Sequence, residues 1–272
     1  MEPETKKESS LSVPVAIIAA GIIIAGAVFF SRGGGVSLNN GANNQNNIQQ
    51  TSDIKLASVT EKDHILGNPD ASIVLVEYSD LECPACQFFH PVLNQVMDNY
   101  GKTGQVAWVF RNFPIVELHS KAPKEHEAAE CVNELGGNQK YWTFVNKIFE
   151  VSPANNRLDP AELPIIAAEV GIDKTKFNTC LDSGKYTALV QADYDSGVTA
   201  GVRGTPTSYL VLNKALSDSG VKDLAEKTIN YVGQSGEPLV VVSADKKIVS
   251  IGAAFPYEGI KVILDAVLEG MK

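Results

Sequence analysis

Cys83 and Cys86 are separated only by Pro84 and Ala85, and they are the residues of this chain best suited to covalent chemistry. They follow an apolar run, Ile73-Val74-Leu75-Val76-Glu77-Tyr78, that reads as a strand, and they precede a segment of helical periodicity. A Cys-x-x-Cys at a strand-to-helix turn is the geometry of a dithiol redox site. The first N–H groups of a helix lack intrahelical partners, so they favour a thiolate at the first sulfur. Pro84 suits the first helical position, where no N–H is needed and φ is already set. The rival reading, half of a zinc site, requires a second closely spaced ligand pair, and the sequence has none. Neither a metal nor a cofactor is expected, since the redox equivalents reside on the two sulfurs.

Other titratable side chains frame this pair. Asp80 and Glu82 place negative charge beside Cys83 and should oppose its thiolate. Glu77 lies in a mostly apolar strand, where a desolvated carboxyl would hold its proton near neutrality; the alternative is a strand-end glutamate reaching solvent. His90 reads as a packed or surface helix residue rather than a catalyst. Cys131 and Cys180 are about 50 residues apart, which matches no metal-ligand spacing. In an oxidising compartment an even cysteine count suggests that they pair; a second redox relay and two buried free thiols are the alternatives.

The elements that must position these residues begin after an unusual N-terminus. Residues 11–30 carry no charge and match the length of about 20 apolar residues that crosses a bilayer. A cleavable signal peptide is the rival, with Ala25-Gly26-Ala27 as its site, but the apolar run continues through Val28-Phe29-Phe30. Lys6 and Lys7 ahead of the span point to a cytoplasmic N-terminus. The expected organisation is a cytoplasmic tail at 1–10, a transmembrane anchor at 11–30, a Gly/Asn-rich flexible linker at 31–58 and a folded domain at 59–272. Either reading of the N-terminus puts that domain outside the cytoplasm, where disulfides persist. A net charge of -9, with no basic block, argues against a nucleic-acid partner.

Within the domain, His64–Asp70 reads as a loop, the run from Ile73 as the first strand, and a helix carrying Pro91 as extending to about Tyr100. A second strand over 105–114 completes a right-handed βαβ unit. The pattern from Leu118 to Val202 is helical throughout, with Asp159-Pro160-Ala161-Glu162 as one helix start. Strands return at 205–212, 238–242 and 248–251, and an amphipathic helix over 257–268 closes the chain.

The strand, Cys83-Pro84-Ala85-Cys86, a helix with Pro five residues after the second Cys, a helical insertion and Gly201-Val202-Arg203-Gly204-Thr205-Pro206-Thr207 together resemble the DsbA-like thiol-disulfide oxidoreductases. The resemblance covers roughly residues 60–212 and, less fully, the last two dozen residues. It implies an α/β fold: a thioredoxin-like central mixed sheet with a helical subdomain inserted at about 115–202, here preceded by one N-terminal transmembrane helix. It implies that Pro206 is cis and lies against the sulfurs, so that Thr205 presents its backbone to substrate beside Pro84 and Ala85; an ordinary trans Pro is the alternative. It implies that Glu77 moves protons to and from the buried Cys86. The activity implied is introduction of disulfides into secreted proteins by a monomer, with Cys83 attacked first and a DsbB-like or vitamin-K-epoxide-reductase-like membrane partner restoring the disulfide. The localisation expected from the apolar span is membrane-anchored, single-pass and extracytoplasmic, periplasmic or cell-surface. The alternatives are a reductase or isomerase kept reduced by a membrane donor, and a peptide-binding, chaperone-like module. The chain lacks the His that the strongest oxidants of the family carry between their cysteines, which with Asp80 and Glu82 suggests a less oxidising pair. An insertion at about 213–237 departs from a minimal family member and leaves the sheet edge open.

Overall fold

In the computed structural model, which describes residues 53–272, a six-stranded sheet organises the chain. Its strands are β1 (His64–Leu66), β2 (Ile73–Ser79), β3 (Val106–Asn112), β4 (Thr207–Leu212), β5 (Val240–Val242) and β6 (Ile248–Ile251). In space they run β1-β3-β2-β4-β6-β5. β2 and β3 are parallel, from Ile73 opposite Val106 to Ser79 opposite Asn112, and the other strand pairs are antiparallel. A parallel pair demands a crossover, and helix α1 (Pro84–Val96), continued by a π-helical turn at Met97–Gly101, supplies it. Pro91 sits inside α1 without ending it.

Side chains alternate across a strand, so Ile73, Leu75, Glu77 and Ser79 share one face of β2 while Val74, Val76 and Tyr78 share the other. The first face packs against Phe89 and Leu93 of α1 and against Ile260, Ile263 and Leu264 of the last helix, α8 (Tyr257–Gly270). The second face joins Val109, Phe113, Ala200 and Tyr209 in a separate cluster. With both faces covered, β2 and β3 are buried from end to end apart from Val74. The two central strands are therefore held rigidly, and the end of β2 delivers the chain directly to Cys83.

Five helices lie between β3 and β4: α2 (Ala122–Gly136), α3 (Asn138–Val151), α4 (Leu163–Glu169), α5 (Lys174–Asp182) and α6 (Thr187–Ala200). Asp159 caps the 3-10 turn that leads into α4, accepting from Ala161 N, and Asp173 caps α5 through Lys176 N. Gly201, at φ 95°, ends α6 in the left-handed region and turns the chain toward β4. Cys131 of α2 and Cys180 of α5 are bonded to each other, 5.9 Å apart between their Cα atoms.

Two expectations change, and the sheet edge left open above is defined. The segment His64–Leu66, read as loop, is a strand at the sheet edge; three residues are too few to show alternation, and their pairing with Trp108–Phe110 lies some forty residues away. The inserted segment after β4 holds α7 (Asp218–Thr228), which packs on α8 so closely that a Cβ at Gly220 would meet Gly270 Cα at 2.5 Å. It leaves β5 as the terminal strand, paired to β6 alone. Finally, the fold class is corrected to a thioredoxin-like mixed sheet with inserted helices: among the described residues no helix is long and apolar enough to cross a membrane. The longest, α2, has 15 residues and spans about 22 Å, short of the roughly 30 Å hydrocarbon core. The transmembrane helix, the single-pass anchorage and the extracytoplasmic placement that followed from it are without support here, and the stretch 11–30 lies outside the described residues.

Candidate active site

Cys83 is the N-cap residue of α1, in extended conformation, with Pro84 at the first helical position. Pro84 and Ala85 are exposed, Cys83 retains 8% of its surface, and Cys86, one turn in, has none. The chain reaches the sulfurs a second time at the cis Thr205–Pro206 peptide, where Cys83 Sγ donates to Thr205 O at 3.5 Å. A hydrogen bond from the Cys86 thiol, working against burial, lowers the Cys83 thiol to about 6; Thr205 and the Cys86 backbone assist, while Asp80 opposes. Burial pushes Cys86 in the other direction, and the charges of Cys83 and Glu77 add to it. One sulfur of this pair is thus accessible and readily ionised, and the other is shielded and held neutral.

Beneath the pair lies a polar floor. Glu77 is fully buried on the face of β2 that meets α1, and its Oε2 accepts from Trp108 Nε1 at 3.1 Å. Burial raises its carboxyl to about 7, although hydrogen bonds from Ser79 and Trp108 pull it down. Ser79 is two residues on and shares that face; Ser208 of β4 stands opposite Glu77 in the strand register. Both serines are buried.

Around the loop between β2 and α1 sits a second polar group. Asp80 accepts from Glu82 N at 2.9 Å, from Ile115 N at 2.7 Å and from His119 Nδ1 at 2.9 Å. Burial alone would lower the His119 pKa, but Asp80 and the Cys83 charge raise it above its usual value. Glu82 accepts from Asn156 N at 2.5 Å. Its carboxyl meets that of Glu125, which burial and the neighbouring Glu82 and Asp80 charges push up to about 9. His126 is buried and neutral, lowered to about 4 by desolvation. Leu81 N donates to its Nε2 at 3.4 Å, so its Nδ1 carries the proton and donates to Asn112 Oδ1 at 2.6 Å. Asp80 does oppose the Cys83 thiolate, yet it is outweighed by the hydrogen bonds from Cys86 and Thr205.

The remaining residues singled out from sequence lie apart from this chemistry. His90 is buried between Trp108 and Phe149, donates to Asn146 Oδ1, and is lowered to about 4 by burial, so it packs as a neutral ring. Cys131 and Cys180 are consumed by their bond. His119, Ser79, Ser208 and Glu125 were not found from sequence. For Ser79 a signal existed, since it follows Glu77 at the strand period; for His119 and Glu125 none did, because only the folded chain brings the helical block to the loop.

The family model for thioredoxin (Thioredoxin_4) matches residues 59–225. The chain is 28% identical over 150 residues to the Na(+)/H(+) antiporter NhaA 3 of Salinispora tropica, covering 55% of this chain and 22% of that protein. It therefore spans less than a quarter of the length of the curated relatives it matches. Among solved structures, oxidised BdbD from Bacillus subtilis superposes with a TM-score of 0.56 at 22% identity, covering 76% of this chain and 94% of that one. Wolbachia pipientis alpha-DsbA1 gives 0.58 at 22% identity, covering 78% and 96%. At such identities the superpositions establish a shared fold.

Proposed function

The chain belongs to the thioredoxin family whose model matches most of its length, and from that premise we propose that it is a thiol-disulfide oxidoreductase that oxidises dithiols in protein substrates. The observation that carries this reading is the asymmetry of the pair: Cys83 lowered to about 6 at a helix N-terminus, Cys86 buried and raised. A substrate thiolate attacks Cys83 Sγ of the disulfide form, the bond to Cys86 breaks, and Cys86 keeps the electron pair. A second substrate thiolate then attacks its own sulfur in the mixed disulfide, and Cys83 leaves as thiolate. A low pKa makes Cys83 a good leaving group and stabilises the reduced protein, which makes the disulfide oxidising. The lowered Cys83 pKa supports an oxidising disulfide.

Exposed Pro84 and Ala85, with the backbone of Thr205 and Pro206 beside the sulfur, form the surface on which a substrate chain would lie. Each turnover leaves both cysteines reduced, so a redox partner must take two electrons from them; a membrane oxidase fills that role by family analogy. The antiport named for the matched relatives is a property of those much longer proteins. The decisive experiment measures the reduction potential of the Cys83/Cys86 couple and the oxidation of a reduced, unfolded test protein by the disulfide form. A potential above that of thioredoxin with rapid oxidation supports the proposal; a lower potential with no oxidation overturns it.

A further inference from the structure

The proton that must reach Cys86 when its disulfide breaks has a defined path in this fold. Cys86 and Glu77 are both fully buried, and between them only a charge interaction operates. Ser79 lies near enough to both to lower the pKa of each. Ser79 Oγ is buried with no hydrogen-bond partner in place, and Glu77 Oε1 likewise has none, its sister oxygen being taken by Trp108. A buried hydroxyl without further partners is costly unless it has a use, because it forfeits its hydrogen bonds to water. The strand period sets this arrangement: Glu77 and Ser79 are two apart on β2, on the face where α1 places Cys86.

Resting on the oxidoreductase reading above, we propose that Ser79 is a further catalytic residue, a hydroxyl relay that passes the proton between the Glu77 carboxyl and the Cys86 sulfur. When a substrate thiolate attacks Cys83 Sγ, the S–S bond breaks and its electron pair goes to Cys86 Sγ. Ser79 O–H donates to that sulfur while Ser79 Oγ takes the proton of Glu77. An S–H bond forms at Cys86, the Ser79 hydroxyl is restored, and the negative charge brought by the substrate resides on Glu77. In reverse, Cys86 attacks a mixed disulfide on Cys83, its proton passes through Ser79 to the Glu77 carboxylate, and the other thiolate leaves. The hydroxyl is neutral and has both a donor and an acceptor site, so it serves both directions. The groups facing this path are Cys83 from α1, Trp108 from β3 and Ser208 from β4, and Tyr141 of α3 feels the Glu77 charge.

A relay changes rates without changing equilibria, and this separates it from a structural hydrogen bond. In the full chain, Ser79→Ala should slow closure of the dithiol on glutathione disulfide by about tenfold or more, followed through Trp108 fluorescence. Its reduction potential should shift far less than its closure rate, alkylation of Cys83 by iodoacetamide should keep its rate, and Ser79→Thr should recover closure. Closure by Ser79→Ala at the wild-type rate, or a potential that moves in step with the rate, overturns the relay. If Ser79→Ala does not fold, wild-type closure in H2O–D2O mixtures decides: a curved dependence on deuterium fraction supports transfer of two protons together, and a linear one overturns it. A wild-type protein that exchanges with no disulfide overturns the oxidoreductase reading itself; one that exchanges but is indifferent to Ser79 overturns the relay alone.

Discussion

Cys83–Cys86 and Cys131–Cys180 are two buried cysteine pairs in one domain, and they differ in nearly everything except burial. The first spans one turn at the start of α1 and meets a polar wall on each side: Thr205 above, Glu77 and Ser79 below, Asp80 and His119 beside. The second ties α2 to α5 across 49 residues, with Cys180 touching Glu134 as its one polar side-chain partner. Burial alone would make both pairs inert. Reactivity at the first arises because hydrogen bonds to one sulfur separate two chemically identical groups, while the two sulfurs of the second are already bonded to each other. The first pair is arranged for exchange and the second for constraint.

The sharpest way to break this contrast is to remove each pair in turn. Cys83→Ser should abolish thiol–disulfide exchange while leaving the thermal midpoint near that of the reduced wild type. Replacing Cys131 and Cys180 together by Ala should leave the exchange rate within about twofold but lower unfolding stability by about 4 kcal/mol, from the closed loop in the chain-entropy model. Parallel denaturant titrations and exchange assays check both halves. Loss of exchange in the second variant, with its fold intact, would show that the two pairs are coupled rather than divided by task.

A smaller effect comes from pH. In the reduced protein Cys83 ionises near 6, against 9.0 for an unperturbed thiol. Between those values the unfolded chain binds the proton that the native protein has released, so the stability of the reduced form relative to the oxidised form rises with pH. The gain is absent below about pH 6 and reaches at most about 4 kcal/mol near pH 9. Above that, burial keeps Cys86 protonated in the native state while the unfolded chain releases its proton, and the slope reverses. Paired unfolding curves of the two redox forms from pH 5 to 10 test this. A flat difference would mean that hydrogen bonds do not separate the sulfurs.

The two sides of this site differ in how far the sequence discloses them. Cys83-Pro84-Ala85-Cys86 and the period-two pattern of β2 lie in one contiguous stretch, so local rules place both the dithiol and the floor that carries Glu77. The Gly-Thr-Pro segment is remote, and it was legible only through a resemblance. The rim is different in kind. His119, Glu125 and Asn156 approach Asp80 and Glu82 because helices inserted after β3 fold back over the loop, and no spacing within one element reports that. Asp80 still raises the Cys83 pKa, as the sequence suggests, while the Glu82 carboxylate is taken up by Glu125 and Asn156. The edge strand His64–Leu66 was missed on the same grounds, being too short to show a period and defined by its partner.

The smallest expected effect lies on that rim. The Cys83 thiolate raises the His119 pKa, and because such coupling is reciprocal, protonated His119 must favour the Cys83 thiolate. It also partners Asp80, whose charge opposes that thiolate. His119→Gln removes the cation while keeping a side-chain N–H for Asp80, so the Cys83 pKa should rise, by less than about one unit. The sign follows from which form the cation favours: with it gone, ionisation of Cys83 needs a higher pH, and at pH 6 a smaller share of the sulfur is thiolate. Ultraviolet absorbance of the thiolate, titrated in both proteins, measures the shift. No corresponding change is expected at Cys131–Cys180, which has no proton to lose. A Cys83 pKa that stayed fixed or fell would mean that the Asp80–His119 pair acts as a neutral scaffold, leaving the contrast between the two cysteine pairs to rest on Cys86 and Thr205 alone.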